Sequence, residues 1–140
     1  MKTHIRRFKL SDTFIEQYKD REVPWGPLGY VTFKRTYARR LSEFDENATG
    51  TEEWFQTCRR VIEGMFEMQK QHVYRLGLEW NDQKAQRTAK NAYDRLFNLK
   101  WTPPGRGLWM MGTEFVNKRT AAGLFNCAFR STRELNTKGG

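Results

Sequence analysis

The longest regular pattern of apolar positions lies in the middle of the chain and predicts one long amphipathic helix. Side chains at spacings of three and four residues form a single, largely apolar stripe, as on the buried face of a helix. The stripe consists of Trp54, Cys58, Val61, Ile62, Met65, Gln69, His72 and Leu76. Thr49 and Glu52 have the spacing of a capping box that opens this helix, and Gly77 is a natural stop.

A second helix is predicted directly after the first. Asn81 or Asp82 is suited to be its N-cap, because both side chains accept hydrogen bonds from the first turn. Its apolar face consists of Ala85, Ala89, Ala92, Tyr93, Leu96 and Phe97. Because small side chains let helix backbones approach closely, we expect the two helices to pack against each other.

The N-terminal part of the chain predicts two shorter helices. The first dozen residues are basic and predict an arm, and a short helix is expected from about Ser11 to Lys19. Prolines and a glycine at 24–27 then enforce a turn. The next stretch is LGYVTFKRTYARRL, in which a helix is favoured by Leu28, Val31, Tyr37 and Leu41 and a strand by Tyr30, Thr32 and Phe33. We interpret this stretch as a helix.

The pattern changes after Lys100. The stretch WTPPGRGLWMMG contains two prolines and three glycines among apolar residues, which predicts an irregular corner and not a helix. Residues 113–118 predict one or two helical turns. The run LFNCAF, which contains Cys127, is bounded by turn residues and predicts a buried strand. Because a lone strand cannot pair its own backbone, we expect a mainly α unit whose one strand joins a larger structure.

Composition narrows the class of protein. A chain of 140 residues suits one domain, and 38% hydrophobic with 14% aromatic residues excludes a disordered chain. No apolar run approaches the roughly 20 residues of a membrane span. The start, MKTHIRRFKLSD, lacks the apolar segment of a secretory signal. Two cysteines are too few for a disulfide scaffold, so we expect a basic, globular, cytoplasmic protein.

Few residues suggest chemistry by themselves. From its spacing alone, Cys127 fits a buried structural cysteine better than a reactive thiol, and Cys58, on the helix stripe, fits a core residue. The two cysteines form no CxxC pair, and neither His4 nor His72 has a partner at ligand spacing. The sequence therefore predicts no metal site.

The net charge of +9 raises nucleic-acid binding as an alternative function. The stretch YVTFKRTYARR alternates aromatic residues with Lys34, Arg35, Arg39 and Arg40, a composition that suits stacking on bases and contacts to phosphates. The same stretch also fits a solvated helix face whose aromatic side chains belong to the core. Because no recognition motif is present, binding of nucleic acid is the less favoured interpretation.

Four stretches carry a resemblance to a known family: PWGPLGYVTFKRTYARRL, EEWFQTCRRVIEG, AQRTAKNAYDRLFNLKWTPPGRGLWMMGTEFV and NCAFRST. Together they resemble the N-terminal region of the adenosylcobalamin-dependent (class II) ribonucleotide reductases, in particular the monomeric ribonucleoside-triphosphate type. The resemblance extends from about Leu10 to Thr132. Its most specific part is the PPGRGLWMMGT block followed by NCAF.

The resemblance implies a fold and a reaction. Residues 1–100 would be a helical N-terminal region, and residues 101–140 would begin a ten-stranded α/β barrel with the Cys127 strand. The family replaces the ribose 2′-hydroxyl with hydrogen. Adenosylcobalamin supplies a radical that becomes a protein thiyl, which abstracts the 3′-hydrogen of the substrate, and two further cysteines supply the electrons and become a disulfide.

The resemblance also implies specific roles for two residues. Cys127 matches the first reducing cysteine in the family's NC motif, so it would form a disulfide with a cysteine outside this chain and be reset by a thioredoxin-type reductant. Asn126 would help to shape the nucleotide pocket. Phe125 and Arg130 depart from the family pattern beside that motif. Adenosylcobalamin would be bound mainly by the remainder of the enzyme.

The sequence contains neither the radical cysteine nor the second reducing cysteine of the family. We therefore expect the chain to be inactive alone and to work as the N-terminal part of a split reductase, as when a phage gene is interrupted. A second polypeptide would complete the barrel and cover a large, mostly apolar docking surface. The alternative is a non-catalytic basic module that binds nucleic acid or protein, and a degraded, functionless remnant is the third possibility.

Overall fold

The computed structural model describes residues 6–118 and residue 124, and the regular elements in residues 6–118 are helical. The elements are α1 (Asp12–Glu16), α2 (Pro27–Thr36), a 3-10 turn (Leu41–Glu43), α3 (Trp54–Arg75), α4 (Asp82–Phe97), α5 (Gly105–Met110) and α6 (Glu114–Lys118). Strand-like pairing among the described residues is limited to one antiparallel bridge between Arg40 and Thr51. The prediction of a mainly α unit is confirmed, whereas the predicted strand around Cys127 lies outside the described residues.

The core of the fold is the antiparallel pair α3 and α4. Cys58, Val61 and Ile62 of α3 are fully buried, as are Ala89 and Tyr93 of α4. The alanine-rich face of α4 therefore packs as predicted, and the Asn81 side chain accepts from Lys84 N at 3.0 Å. Gly77, at φ +71°, follows the end of α3, which confirms the predicted stop.

The predicted capping box of α3 is wrong by a few residues. Glu53, not Thr49, is the N-cap, and its backbone N–H donates to Gln56 Oε1 at 2.8 Å. Glu52 does not cap the helix. Its side chain is buried and bonded to Arg60, so the carboxylate that fits the capping pattern serves a different purpose.

The second half of the predicted α3 stripe is also wrong. Gln69, His72 and Leu76 are exposed, and Phe66 and Lys70 are buried in their place. The reason is that residues 6–10 pack on this part of α3. The rings of Phe8 and Phe66 stack with their centroids 5.1 Å apart, and Lys70 Nζ donates to Arg6 O at 2.6 Å.

Residues 6–10 are part of the core and not a solvated arm. Phe8 and Leu10 are 3% and 2% exposed, while Lys9 between them faces solvent. This alternation is that of an extended segment with one face buried. Charged side chains of α3 bind its backbone, since Phe8 N donates to Glu67 Oε2 at 2.6 Å and Leu10 N donates to Glu63 Oε1 at 2.9 Å.

The two helices predicted before α3 both form, with changes. α1 is shorter than expected and ends at Glu16. α2 is helical but ends at Thr36, before Tyr37 and Leu41, and the two predicted apolar positions within it, Leu28 and Val31, are 80% and 55% exposed. Its buried residue is Phe33, whose ring centroid lies 5.3 Å from that of Trp25 and 5.2 Å from that of Trp54.

The proline- and glycine-rich stretch forms a helix, contrary to the prediction. Pro103 and Pro104 both precede α5, where a missing N–H costs no hydrogen bond. A Cβ placed on Gly107 would lie 3.0 Å from Pro103 Cβ, so the glycine lets the helix fold back against the proline. The predicted helical turns after it are confirmed as α6.

Candidate functional site at the junction of α3 and α5

The segment that leads from α5 to α6 lies directly against the backbone of α3. A Cβ placed on Gly64 would lie 2.5 Å from Gly112 N, and one placed on Gly112 would overlap Arg60 O. Gly112 also has φ +77°, which favours glycine. Only glycine at both positions permits this approach, so the contact fixes where residues 110–113 lie.

Arg60 holds the same segment through its side chain. The guanidinium, on a residue only 7% exposed, donates from Nη1 to Met111 O at 2.6 Å and from Nη2 to Leu108 O at 2.8 Å. Both carbonyls belong to the end of α5, where helix carbonyls lack partners within the helix. A cation there also interacts favourably with the helix dipole.

Glu52 neutralises Arg60 and connects it to a third segment. Its carboxylate accepts from Arg60 Nε at 2.7 Å and Nη2 at 3.0 Å, from Thr57 Oγ1 at 2.8 Å, and from Arg39 N at 3.0 Å. A buried ion pair is tolerated only when its remaining hydrogen-bonding groups are satisfied, as they are here. The pair thereby joins α3, the stretch after α2 and the end of α5.

An open groove of about 1110 Å³ lies beside this junction, between residues 7–9, α1, α3 and residues 112–116. Its walls carry charges of both signs, and several of these charges are paired with each other. Arg59 bonds to Asp12 at 2.8 Å and to Glu63 at 2.8 Å. The groove therefore presents a largely neutralised polar surface and not a concentrated site for an anion.

The predicted site residues are only partly within the described region. Cys127, Asn126 and His4 lie outside it. Cys58 is fully buried, and desolvation raises the pKa of its thiol well above the usual range, which confirms it as a structural residue. His72 is exposed, and no cluster of metal-ligating side chains occurs among residues 6–118.

Two of the four basic side chains in the stretch YVTFKRTYARR make contacts within the fold, while Arg35 and Arg40 are exposed. Lys34 bonds to Glu53 at 2.6 Å, and Arg39 bonds to Glu43 at 2.9 Å while lying 5.0 Å from the ring of Trp109. Phe33 belongs to the core. These contacts favour the interpretation in which the stretch stabilises the fold over the one in which it binds nucleic acid.

Sequence reasoning missed the residues that build the junction. Arg60 and Glu52 lie on or beside the apolar stripe, where two opposite charges eight positions apart have no local motif. Gly64 interrupts a helix, which is the one signal that a close backbone approach was required.

Comparison with known proteins gives consistent matches. A family model described as the ribonucleotide reductase alpha domain matches residues 10–113. The probable adenosylcobalamin-dependent ribonucleoside-triphosphate reductase of Dictyostelium discoideum is 41% identical over 138 residues, which cover 96% of this chain and 18% of that protein. The adenosylcobalamin-dependent ribonucleoside-triphosphate reductase of Euglena gracilis is 40% identical over 133 residues, which cover 92% of this chain and 18% of that protein.

A solved structure matches as well. The crystal structure of a B12-dependent (class II) ribonucleotide reductase superposes with a TM-score of 0.69 and 36% sequence identity, over 85% of this chain and 16% of that one. The chain thus spans less than a fifth of the length of these relatives. No helix among residues 6–118 has the length and apolar character needed to cross a bilayer.

Proposed function

Because the chain belongs to the ribonucleotide reductase family, we propose that it forms the N-terminal helical region of an adenosylcobalamin-dependent ribonucleoside-triphosphate reductase. The observation that carries the proposal is the extent of the family match, which includes both the α3–α4 pair and the anchored segment 105–112. The chain is then the scaffold from which the stretch containing Cys127 continues into the catalytic barrel.

The proposed chemical role belongs to Cys127. In the overall reaction the ribose 2′-hydroxyl leaves as water and hydrogen takes its place, while two thiols lose two electrons and two protons and join as a disulfide. Cys127 is one of these thiols, and the other lies outside this chain. A thioredoxin-type dithiol reduces the disulfide by exchange. Asn126 borders the nucleotide.

The rest of the enzyme is assigned to a second polypeptide, joined non-covalently or by splicing. It carries the radical cysteine, the second reducing cysteine and the surface for adenosylcobalamin, which supplies the radical when bound. Nothing among the described residues marks a site for that cofactor, since the groove beside α3 is lined by charges of both signs and some of these are already paired with each other. No step of the reaction is therefore assigned to residues 6–118.

Exposed apolar side chains support docking of such a partner. Leu28, Val31, Trp109 and Phe115 are each between 46% and 80% exposed. Two of them lie on α2 and two on α5 and α6, and Arg39, which follows α2, contacts Trp109 of α5. A partner that covered these side chains would remove their apolar surface from water, which favours association.

The test is reconstitution. The purified chain is mixed anaerobically with the polypeptide that carries the remainder of the reductase, adenosylcobalamin, a ribonucleoside triphosphate and a dithiol, and deoxyribonucleotide is measured. Cys127→Ser is assayed in parallel, with Cys58→Ala as the matched cysteine control, because Cys58 is buried in the helix pair.

Three outcomes separate the hypotheses. Product that needs both chains, survives Cys58→Ala and is lost with Cys127→Ser supports the proposal. Product that persists in Cys127→Ser contradicts the role of that thiol. If the chains neither associate nor turn over, the reductase proposal fails, and salt-dependent RNA binding becomes the next measurement.

A further inference from the structure

The buried Arg60–Glu52 pair joins segments that no regular secondary structure connects. Arg60 contacts Glu52, Leu108 O and Met111 O, and Glu52 also holds Arg39 N. A guanidinium presents its donors in a fixed planar fork, which a lysine ammonium cannot reproduce. The pair therefore sets both the distance and the orientation of the end of α5 relative to α3.

Stability alone does not account for this arrangement. A buried ion pair is generally no more stabilising than apolar residues of similar volume, because both charges lose hydration. Leu108, whose carbonyl oxygen accepts from Arg60, is itself buried, so the pair lies beside side chains that could pack without charges. What the pair provides, and apolar residues do not, is a directional contact to two specific carbonyls.

We propose that Arg60 is a positioning residue of the reductase. By fixing Leu108 and Met111 on α3, it determines the position and direction from which the chain continues towards Cys127. This inference rests on the proposed function. The Gly64–Gly112 contact acts at the same place, so side chain and backbone define one anchor point. Displacement of this anchor misplaces the reducing thiol without removing it, and misplacement by about 1 Å can cost about a hundredfold in rate.

Arg60→Lys is the decisive variant, and Arg59→Lys is its matched control. Lysine at 60 keeps a positive charge beside Glu52 but has no fork to reach both carbonyls. Arg59 is the neighbouring arginine of the same helix, with two carboxylate partners of its own, Asp12 and Glu63, and with Leu10 O as its carbonyl contact. Both variants are prepared as the full chain and reconstituted with the remaining polypeptide.

Two measurements are made on each complex. Hydrogen exchange reports the anchoring, and kcat and KM for the ribonucleoside triphosphate report the positioning. With Arg60→Lys we expect faster exchange in residues 105–118, unchanged protection of α4, and a kcat reduced about tenfold or more at unchanged KM, because substrate binding is retained while the thiol is misplaced. Arg59→Lys is expected to leave both the exchange of 105–118 and kcat unchanged.

Several results would overturn the inference. Unchanged exchange in residues 105–118 means that Arg60 does not anchor them, and faster exchange with normal kcat means that the anchor does not position the thiol. An equal loss of kcat in Arg59→Lys, or lost protection of α4, indicates a general structural defect. A wild-type complex without turnover contradicts the proposed function itself, which separates that failure from one confined to Arg60→Lys.

Discussion

Substitution of Phe8 measures how much the packing of residues 6–10 contributes to the free energy of unfolding. The Phe8 ring is 97% buried against α3, stacked on Phe66 at 5.1 Å and edge-on to Trp80 at 6.2 Å. Truncation of a buried phenylalanine to alanine costs about 3–5 kcal/mol. Because small domains are stable by only about 5–15 kcal/mol, Phe8→Ala should remove a large part of the free energy of unfolding.

The hydrogen bonds of the segment place the expected loss at the upper end of that range. Glu67 and Glu63 accept from the amides of Phe8 and Leu10, and buried Lys70 donates to Arg6 O. If the segment detaches, Lys70 loses this acceptor. A hydrogen bond to a charged group contributes about 1.5–3 kcal/mol.

Urea unfolding followed by far-ultraviolet circular dichroism gives the free energy directly. Lys9→Ala is the matched control, since Lys9 lies between the two buried residues and faces solvent, and it should change stability by less than about 0.5 kcal/mol. Glu67→Gln is the intermediate case: it keeps an acceptor for Phe8 N but loses the charge, with an expected loss of about 1 kcal/mol.

Equal midpoints for Phe8→Ala and Lys9→Ala would refute the reasoning, as would a loss below about 1 kcal/mol for Phe8→Ala, which is far less than burial of a phenylalanine requires. Either result would mean that the first residues form the solvated arm that their basic composition suggests.

Three further predictions concern the core. Gly64→Ala should destabilise by about 1–3 kcal/mol in the same unfolding assay, because its Cβ would lie 2.5 Å from Gly112 N, and an unchanged free energy of unfolding would contradict the close approach. Cys58 should resist iodoacetamide until urea is added, since burial raises the pKa of its thiol; peptide mapping shows when it is labelled, and labelling in the native state would contradict its burial. Burial and the hydrogen bond to Asp94 raise the pKa of Tyr18 from 10.0 to about 12. The neutral phenol is thus favoured by folding, and its contribution to stability should be complete below pH 10.0 and be lost as the pH rises towards about 12. Tyr18→Phe should lose less stability than the wild-type chain over this pH range, and the loss that remains comes from the buried Tyr93, whose pKa is also raised.

The regular helices were predictable where local pattern and tertiary packing agree. The alanine-rich face of α4 and the stop at Gly77 follow from spacing alone, because each is decided by a few neighbouring residues. α5 was not predictable by the same reasoning. Two prolines argue against a helix, yet both precede its first turn, and their effect depends on a boundary that the composition of the stretch does not reveal.

The buried faces were predictable only where one helix meets another. The α3 stripe fails after Met65 because its next partner is the extended segment 6–10, which the basic composition of the first residues concealed. The junction at Arg60 was missed for a related reason. Its acceptors, Leu108 O and Met111 O, are backbone atoms, so they leave no trace in the side-chain pattern.

These two exceptions have one physical cause. An extended segment or a short helix presents backbone groups that lack partners, and apolar side chains cannot satisfy them when they are buried. α3 meets this need with charged side chains in both places: Glu67 and Lys70 bind the backbone of residues 6–10, and Arg60 binds the end of α5. The backbone of α4 is already paired within its own helix. Accordingly, α3 packs against α4 with the apolar side chains of Cys58, Val61 and Ile62. Along the buried surface of α3, charged residues therefore lie where irregular backbone packs against the helix, and apolar residues lie where α4 packs against it. A charge within an otherwise apolar helix stripe is accordingly a sign of irregular backbone packed against it, and at Arg60 that backbone leads towards Cys127.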